Sequence, residues 1–100
     1  MNFLQNYTGQ IQLLCKKHKV KSLFAFGSVI SDVFSSNSDI DLIVDFEEQN
    51  PLDYSENYFQ LKFQLQDLLK RPVDLLEKKA LHNQFLLKQI DSTKVPVYGK

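Results

Sequence analysis

In FGSVISDVFSSNSDIDLIVDF, Phe26 to Phe46, a Gly-Ser pair is followed by a short mixed stretch, a loop and two aspartates one residue apart. Asp39 and Asp41 stand at the mouth of an apolar strand. Acids weaken a strand there, because Asp has poor β-propensity and resists burial. Water, a basic partner or a metal must compensate them. Side chains alternate along a strand, so Asp39 and Asp41 point to one side while Ile40, Leu42 and Val44 point to the other. Their Cα atoms then lie roughly 6.6 Å apart.

Working outward, VKSLFAF (Val20 to Phe26) reads as a first strand and Ile40 to Phe46 as a second. Gly27-Ser28 stops the first, Val29 to Phe34 is long enough only for a short helix, and SSNS (Ser35 to Ser38) is a turn-forming loop. Gly27 allows a sharp backbone turn close to a ligand. The following helix would aim its free N–H groups at an anion, and the Ser28 hydroxyl can donate to a phosphate oxygen. That combination needs the end of the first strand beside the start of the second, so the two strands must be antiparallel. In a parallel pair those points would be roughly 17–20 Å apart.

The remaining elements frame this pair. A helix is expected over Asn2 to His18, with Leu4, Tyr7, Ile11, Leu14 and Cys15 on one face. Another is expected over Leu52 to Leu69, with Tyr54, Tyr58, Leu61, Leu65 and Leu68 as its apolar stripe. VDLLE (Val73 to Glu77) gives a third strand, and Lys79 to Ile90 a further helix with Leu81, Phe85, Leu86 and Ile90 inward. KVPVYG adds a short last strand that Pro96 confines to an edge. The fold class is α/β (α+β), a small mixed sheet of three to four strands flanked by helices. Asp74, near the start of the third strand, is a third candidate carboxylate.

The 100 residues argue for one domain, and 43% hydrophobic content lets it fold without staples. Lysine plus arginine and aspartate plus glutamate number 12 each, so there is no basic footprint for strong nucleic-acid binding. One cysteine, Cys15, excludes an intrachain disulfide or a cysteine-rich zinc site. No apolar run approaches the roughly 20 residues that span a bilayer, and no signal peptide is visible, so no membrane association and a cytoplasmic location are expected.

Read alone, Asp39 and Asp41 are a solvated polar face. Gly27-Ser28 at this spacing, together with Asp74, reverses that reading in favour of a metal site. Two carboxylates so placed can converge on a pair of Mg²⁺ ions about 3.5–4 Å apart, and Mg²⁺ takes one or two carboxylates plus substrate phosphates. A phosphatase-type Asp-x-Asp would follow its apolar strand, whereas this one precedes it. A metal-dependent nuclease would not explain the glycine turn. His18 and His82 read as surface residues, and Cys15 as core. Asp45, Glu47 and Glu48 read as a solvated strand end, Asp32 as a surface acid, the Tyr54–Tyr58 stripe as packing, and Lys78 and Lys79 as exposed charges.

Phe26-Gly27-Ser28, ten residues, then Asp39-Ile40-Asp41-Leu42, with Asp74 in PVDLL, resembles the signature of the DNA polymerase β-like nucleotidyltransferase superfamily. The small size and the ending VPVYG resemble its minimal nucleotidyltransferases, the MNT-type antitoxins that act beside a helical HEPN-domain toxin. The resemblance implies one nucleotidyltransferase domain over residues 1–100 and transfer of a nucleoside monophosphate, AMP from ATP. It implies that Asp39, Asp41 and Asp74 are catalytic and hold two Mg²⁺ ions, and that Gly27 and Ser28 hold the β- and γ-phosphates. It further implies a tyrosine of the HEPN toxin as acceptor (AMPylation). In one departure, Val29-Ile30-Ser31-Asp32 stands where small members often carry a basic residue. The alternative is therefore a non-catalytic antitoxin, a binding module that neutralises its partner by contact. Transfer to a small molecule such as an aminoglycoside would need more chain for an acceptor pocket.

Overall fold

The computed structural model describes residues 3–27 and 39–99. Ser28, the expected short helix from Val29 to Phe34, Asp32 and the Ser35–Ser38 loop lie outside the described residues. The chain begins with a 3₁₀ turn, Phe3–Tyr7, that leads into α1, Thr8–Lys17. The single helix expected over this stretch is thus divided. The Phe3 and Tyr7 rings meet 5.3 Å apart in the tighter first part, and no side chain caps the start of α1. Lys19, with φ of 59°, turns the chain out of α1 into β1, Val20–Phe26.

β2, Ile40–Phe46, runs antiparallel to β1, as the glycine turn required. α2 spans Pro51–Leu69, one residue longer than expected. It starts where it does because Asn50 accepts from the Asp53 N–H at 2.9 Å and Pro51 has a φ preset for a first helical position. Lys70, left-handed at φ 58°, ends it. β3, Val73–Glu77, then lies parallel to β2. A 3₁₀ turn (Lys78–Ala80), α3 (Gln84–Thr93) and β4 (Val95–Tyr98) complete the fold. The sheet order is β3-β2-β1-β4, a four-stranded mixed sheet with β4, the proline strand, at an edge.

One face of this sheet carries the core. Leu23, Ala25, Ile40, Leu42, Val44, Phe46, Val73 and Leu75 pack with Ile11 and Cys15 of α1 and with Leu61, Leu65 and Leu69 of α2. Tyr54 and Tyr58 flank the core as expected of packing residues. The Tyr54 ring meets Phe46 edge-on at 5.0 Å, and the Tyr58 hydroxyl donates to the Leu75 carbonyl at 2.6 Å. No helix among the described residues is long and apolar enough to cross a membrane.

Three further expectations fail. α3 begins at Gln84, not Lys79, because Asn83 accepts from the N–H groups of Phe85 and Leu86 and sets the start there. That cap turns Phe85 outward, 72% exposed, and leaves Ile90 as the buried residue of the helix. His18 is 1% exposed, not on the surface. Its two ring nitrogens lie 3.1 Å from Asn57 Oδ1 and 2.9 Å from Gln64 Oε1, so polar partners on α2 supply what water would have. Asp45 is not simply a solvated strand end either, since its Oδ1 is buried with no hydrogen-bond partner among the described residues.

Candidate active site

The site starts from one register. Phe26 of β1 pairs with Asp41 of β2, so Gly27 follows directly beside the Asp41 side chain. Gly27 has φ of +73°, a conformation costly for any residue with a Cβ. A Cβ built on it would run into the Asp41 carboxylate at Oδ2. Glycine is needed here twice, for the turn and for the room it leaves to a carboxylate.

A second register brings in the third acid. The Ile40 N–H donates to the Pro72 carbonyl at 3.0 Å, and from there Asp41 pairs with Asp74 across the parallel strands. Paired residues on neighbouring strands project to the same face, with the strands about 4.8 Å apart. Asp39 shares that face by alternation. Asp41 is half-buried, while Asp39 and Asp74 are exposed. The Asp41 carboxyl is held above its ordinary value, first by burial and then by the charges of Asp74 and Asp39. The three carboxylates are therefore close enough to repel, at one end of one face, with Gly27 alongside.

The acids form a row along two strands rather than a cage. Among the described residues no three His, Cys, Asp or Glu side chains are gathered so as to hold a metal ion on their own. The row nonetheless fits a hard divalent cation that leaves most positions to water and phosphate. It offers oxygen donors only, and its crowded charge favours a cation as neutraliser.

Two α2 residues hold Asp74 in place: Gln66, which the sequence reading passed over, and Tyr58, which it read only as packing. Gln66 Oε1 accepts from the Val73 N–H at 3.1 Å, and the Tyr58 hydroxyl bonds Leu75. These α2 side chains bracket Asp74 on the outward backbone of β3. Their signal in the sequence is faint: two hydrogen-bonding residues eight apart, bordering an apolar stripe.

Residues 9–100 match the family described as polymerase beta, nucleotidyltransferase. The chain belongs to that family. It is a nucleotidyltransferase, an enzyme, and the mixed sheet with its glycine turn is the nucleotidyltransferase fold. A protein of Methanocaldococcus jannaschii, named by inference a protein adenylyltransferase, is 40% identical over 80 residues, 80% of this chain and 79% of the relative. A solved structure described, by inference, as a minimal nucleotidyltransferase is 30% identical, with TM-score 0.78 and 96% of both chains covered. At 21% identity and TM-score 0.67, the fold is also that of a structure of a tri-AMPylated Shewanella oneidensis HEPN toxin in complex with MNT antitoxin. That match covers 98% of this chain and 74% of the other.

Proposed function

We propose that this nucleotidyltransferase transfers AMP from ATP to a tyrosine hydroxyl of a HEPN-type toxin, acting in the cytoplasm as the antitoxin of the pair. The observation that carries the reading is the double register that sets Asp41 between Gly27 and Asp74. The names of its relatives and the AMPylated toxin of a structural neighbour support the nucleotide and the partner.

Asp39 and Asp41 would hold two Mg²⁺ ions, and Asp74 the one nearer the acceptor. When bound, Mg²⁺ supplies Lewis acidity at the α-phosphorus and neutralises charge on the entering and leaving oxygens. Gly27 and Ser28 would receive the β- and γ-phosphates. Asp74, exposed on the outer strand, would orient the incoming hydroxyl. The tyrosine oxygen forms a bond to the α-phosphorus, the bond from that phosphorus to the bridging oxygen breaks, and pyrophosphate leaves. The hydroxyl proton passes to solvent past the exposed Asp74.

A mixture of the protein, Mg·ATP and its HEPN partner tests this by intact mass. One AMP should be added per transfer, and none with Asp41→Asn. The absence of a basic residue from Val29-Ile30-Ser31-Asp32 favours the second reading, neutralisation by contact. Under it, Asp41→Asn would protect against the toxin as well as the natural protein does.

A further inference from the structure

α3 leaves an open cavity of ≈ 460 Å³ at the end of β1, bounded by Phe26, Gly27, Leu86, Gln89 and Ile90. Its volume falls in the span of roughly 300–1,000 Å³ common to small-molecule sites. A second cavity, between α3 and the other end of the sheet, is ≈ 180 Å³ and falls below it. The larger cavity begins one register step from the acids, because Phe26 is the partner of Asp41. It lies on the β1 side of Asp41, away from Asp74 on β3.

Its chemistry suits a base better than a phosphate. Among the described residues no lysine or arginine lines it, and phosphate sites call on cations or clustered N–H donors. Leu86 and Ile90 supply an apolar wall. Phe26 is half-buried, and its ring meets no other ring among the described residues. Ser92 and Thr93, which also border the cavity, spend their hydroxyl protons on the Gln89 carbonyl at 2.9 and 3.0 Å. The side-chain amide of Gln89, exposed on α3, carries both an N–H donor and a carbonyl acceptor.

We propose that this cavity takes the nucleobase of the donor triphosphate, with the Phe26 ring as stacking platform and the Gln89 amide reading adenine. The proposal rests on the nucleotidyl-transfer reading above and adds to it the part of the site that chooses the base. A glutamine amide pairs with adenine through N6–H and N7, one donor and one acceptor. Guanine presents two acceptors on the same edge, which a single amide cannot match. Aromatic stacking is indifferent to the base and adds affinity for all of them.

Titration calorimetry with Mg²⁺ and ATP, GTP or inorganic tripolyphosphate tests the assignment. The natural protein should bind ATP more tightly than GTP, and both more tightly than tripolyphosphate. Gln89→Ala should weaken ATP about tenfold, bring it level with GTP and leave tripolyphosphate unchanged. Phe26→Leu should weaken ATP and GTP alike and again spare tripolyphosphate. Gln89 is exposed on a helix, so its alanine variant keeps the fold, and an unchanged melting curve verifies this. Unaltered ATP affinity in both variants, or an equal loss for tripolyphosphate, overturns the base site and leaves the transfer reading standing. Failure of the natural protein to bind either ATP or tripolyphosphate overturns both.

Discussion

β2 carries two opposite environments on one backbone. Towards α1 and α2 it presents Ile40, Leu42, Val44 and Phe46, none more than 1% exposed. Towards α3 it presents Asp41, Ile43 and Asp45, with Asp39 just before them. The apolar face gains free energy from burial, while the acidic face raises the cost of the fold through repulsion. The two are coupled by the pleat. A one-residue slip would turn all the apolar side chains to the wrong face, so the core pins the register that holds the acids together. A site that opposes folding is thus kept in place by packing on the reverse side of the same strand.

This coupling predicts opposite consequences for neighbouring positions. Asp41→Asn should lower nucleotidyl transfer by about 10²–10³-fold, the scale of removing one group that stabilises transition-state charge. Its melting temperature should stay level or rise, because a repelling charge is removed. Leu42→Ala, one residue on, should instead destabilise the protein by about 2–5 kcal/mol. The protein that remains folded should still transfer. Denaturant unfolding beside a mass-spectrometric transfer assay reads both. Loss of stability in the aspartate variant would break the separation of the two faces.

Gly27→Ala probes the seam between them. The left-handed φ costs the alanine about 1 kcal/mol, and the collision with Asp41 adds to it. The expected total is about 1–3 kcal/mol in stability, with a loss of transfer larger than the stability change explains, since the Asp41 carboxylate must move. Transfer rates normalised to folded protein would show it.

A smaller effect should come from metal. Mg²⁺ that binds only the folded acids stabilises by mass action, about 1.4 kcal/mol at ten times its Kd. The melting temperature should rise with Mg²⁺ in the natural protein and not in Asp39→Asn. An equal rise in both would place the ion elsewhere than on the acidic face.

How much of this was legible depended on which force set each feature. The β-strands follow from dense runs of apolar and branched residues, and β1, β2 and β3 fall where VKSLFAF, IDLIVDF and VDLLE put them. The antiparallel pairing of β1 with β2 was legible because Gly27 and Asp41 make chemical sense only side by side. The placement of Asp74 was legible as a candidate but not as a contact, since its register depends on the bond from Ile40 to Pro72 far along the chain. His18 was misread because its partners, Asn57 and Gln64, are polar residues on the flank of an apolar helix stripe. Phe85 was misread because a cap at Asn83 shifted the helix start and rotated its faces. Apolar spacing alone carries no account of either.

The last and smallest effect measures how dry the core face is. Cys15 is 0% exposed in the core cluster, and burial pushes its thiol from 9.0 up to about 12. The neutral thiol is the form that the fold accepts, and the unfolded chain ionises first as pH rises. The contribution is therefore intact below about pH 9 and falls progressively until the folded thiol itself ionises near pH 12. By pH 9.5 the loss should be about 0.8 kcal/mol. Urea unfolding at intervals from pH 8 to 10.5, for the natural protein and for Cys15→Ala, isolates it. The variant is less stable throughout, for lost packing, but its stability should fall less steeply with pH, because lysines and tyrosines contribute to both curves and the thiol to one. Alkylation of native Cys15 should likewise stay slow at pH 9, where an exposed thiol reacts readily. Parallel pH curves with rapid alkylation would mean that water reaches the core face, and the contrast with the acidic face of β2 would then be one of residue type rather than of solvent.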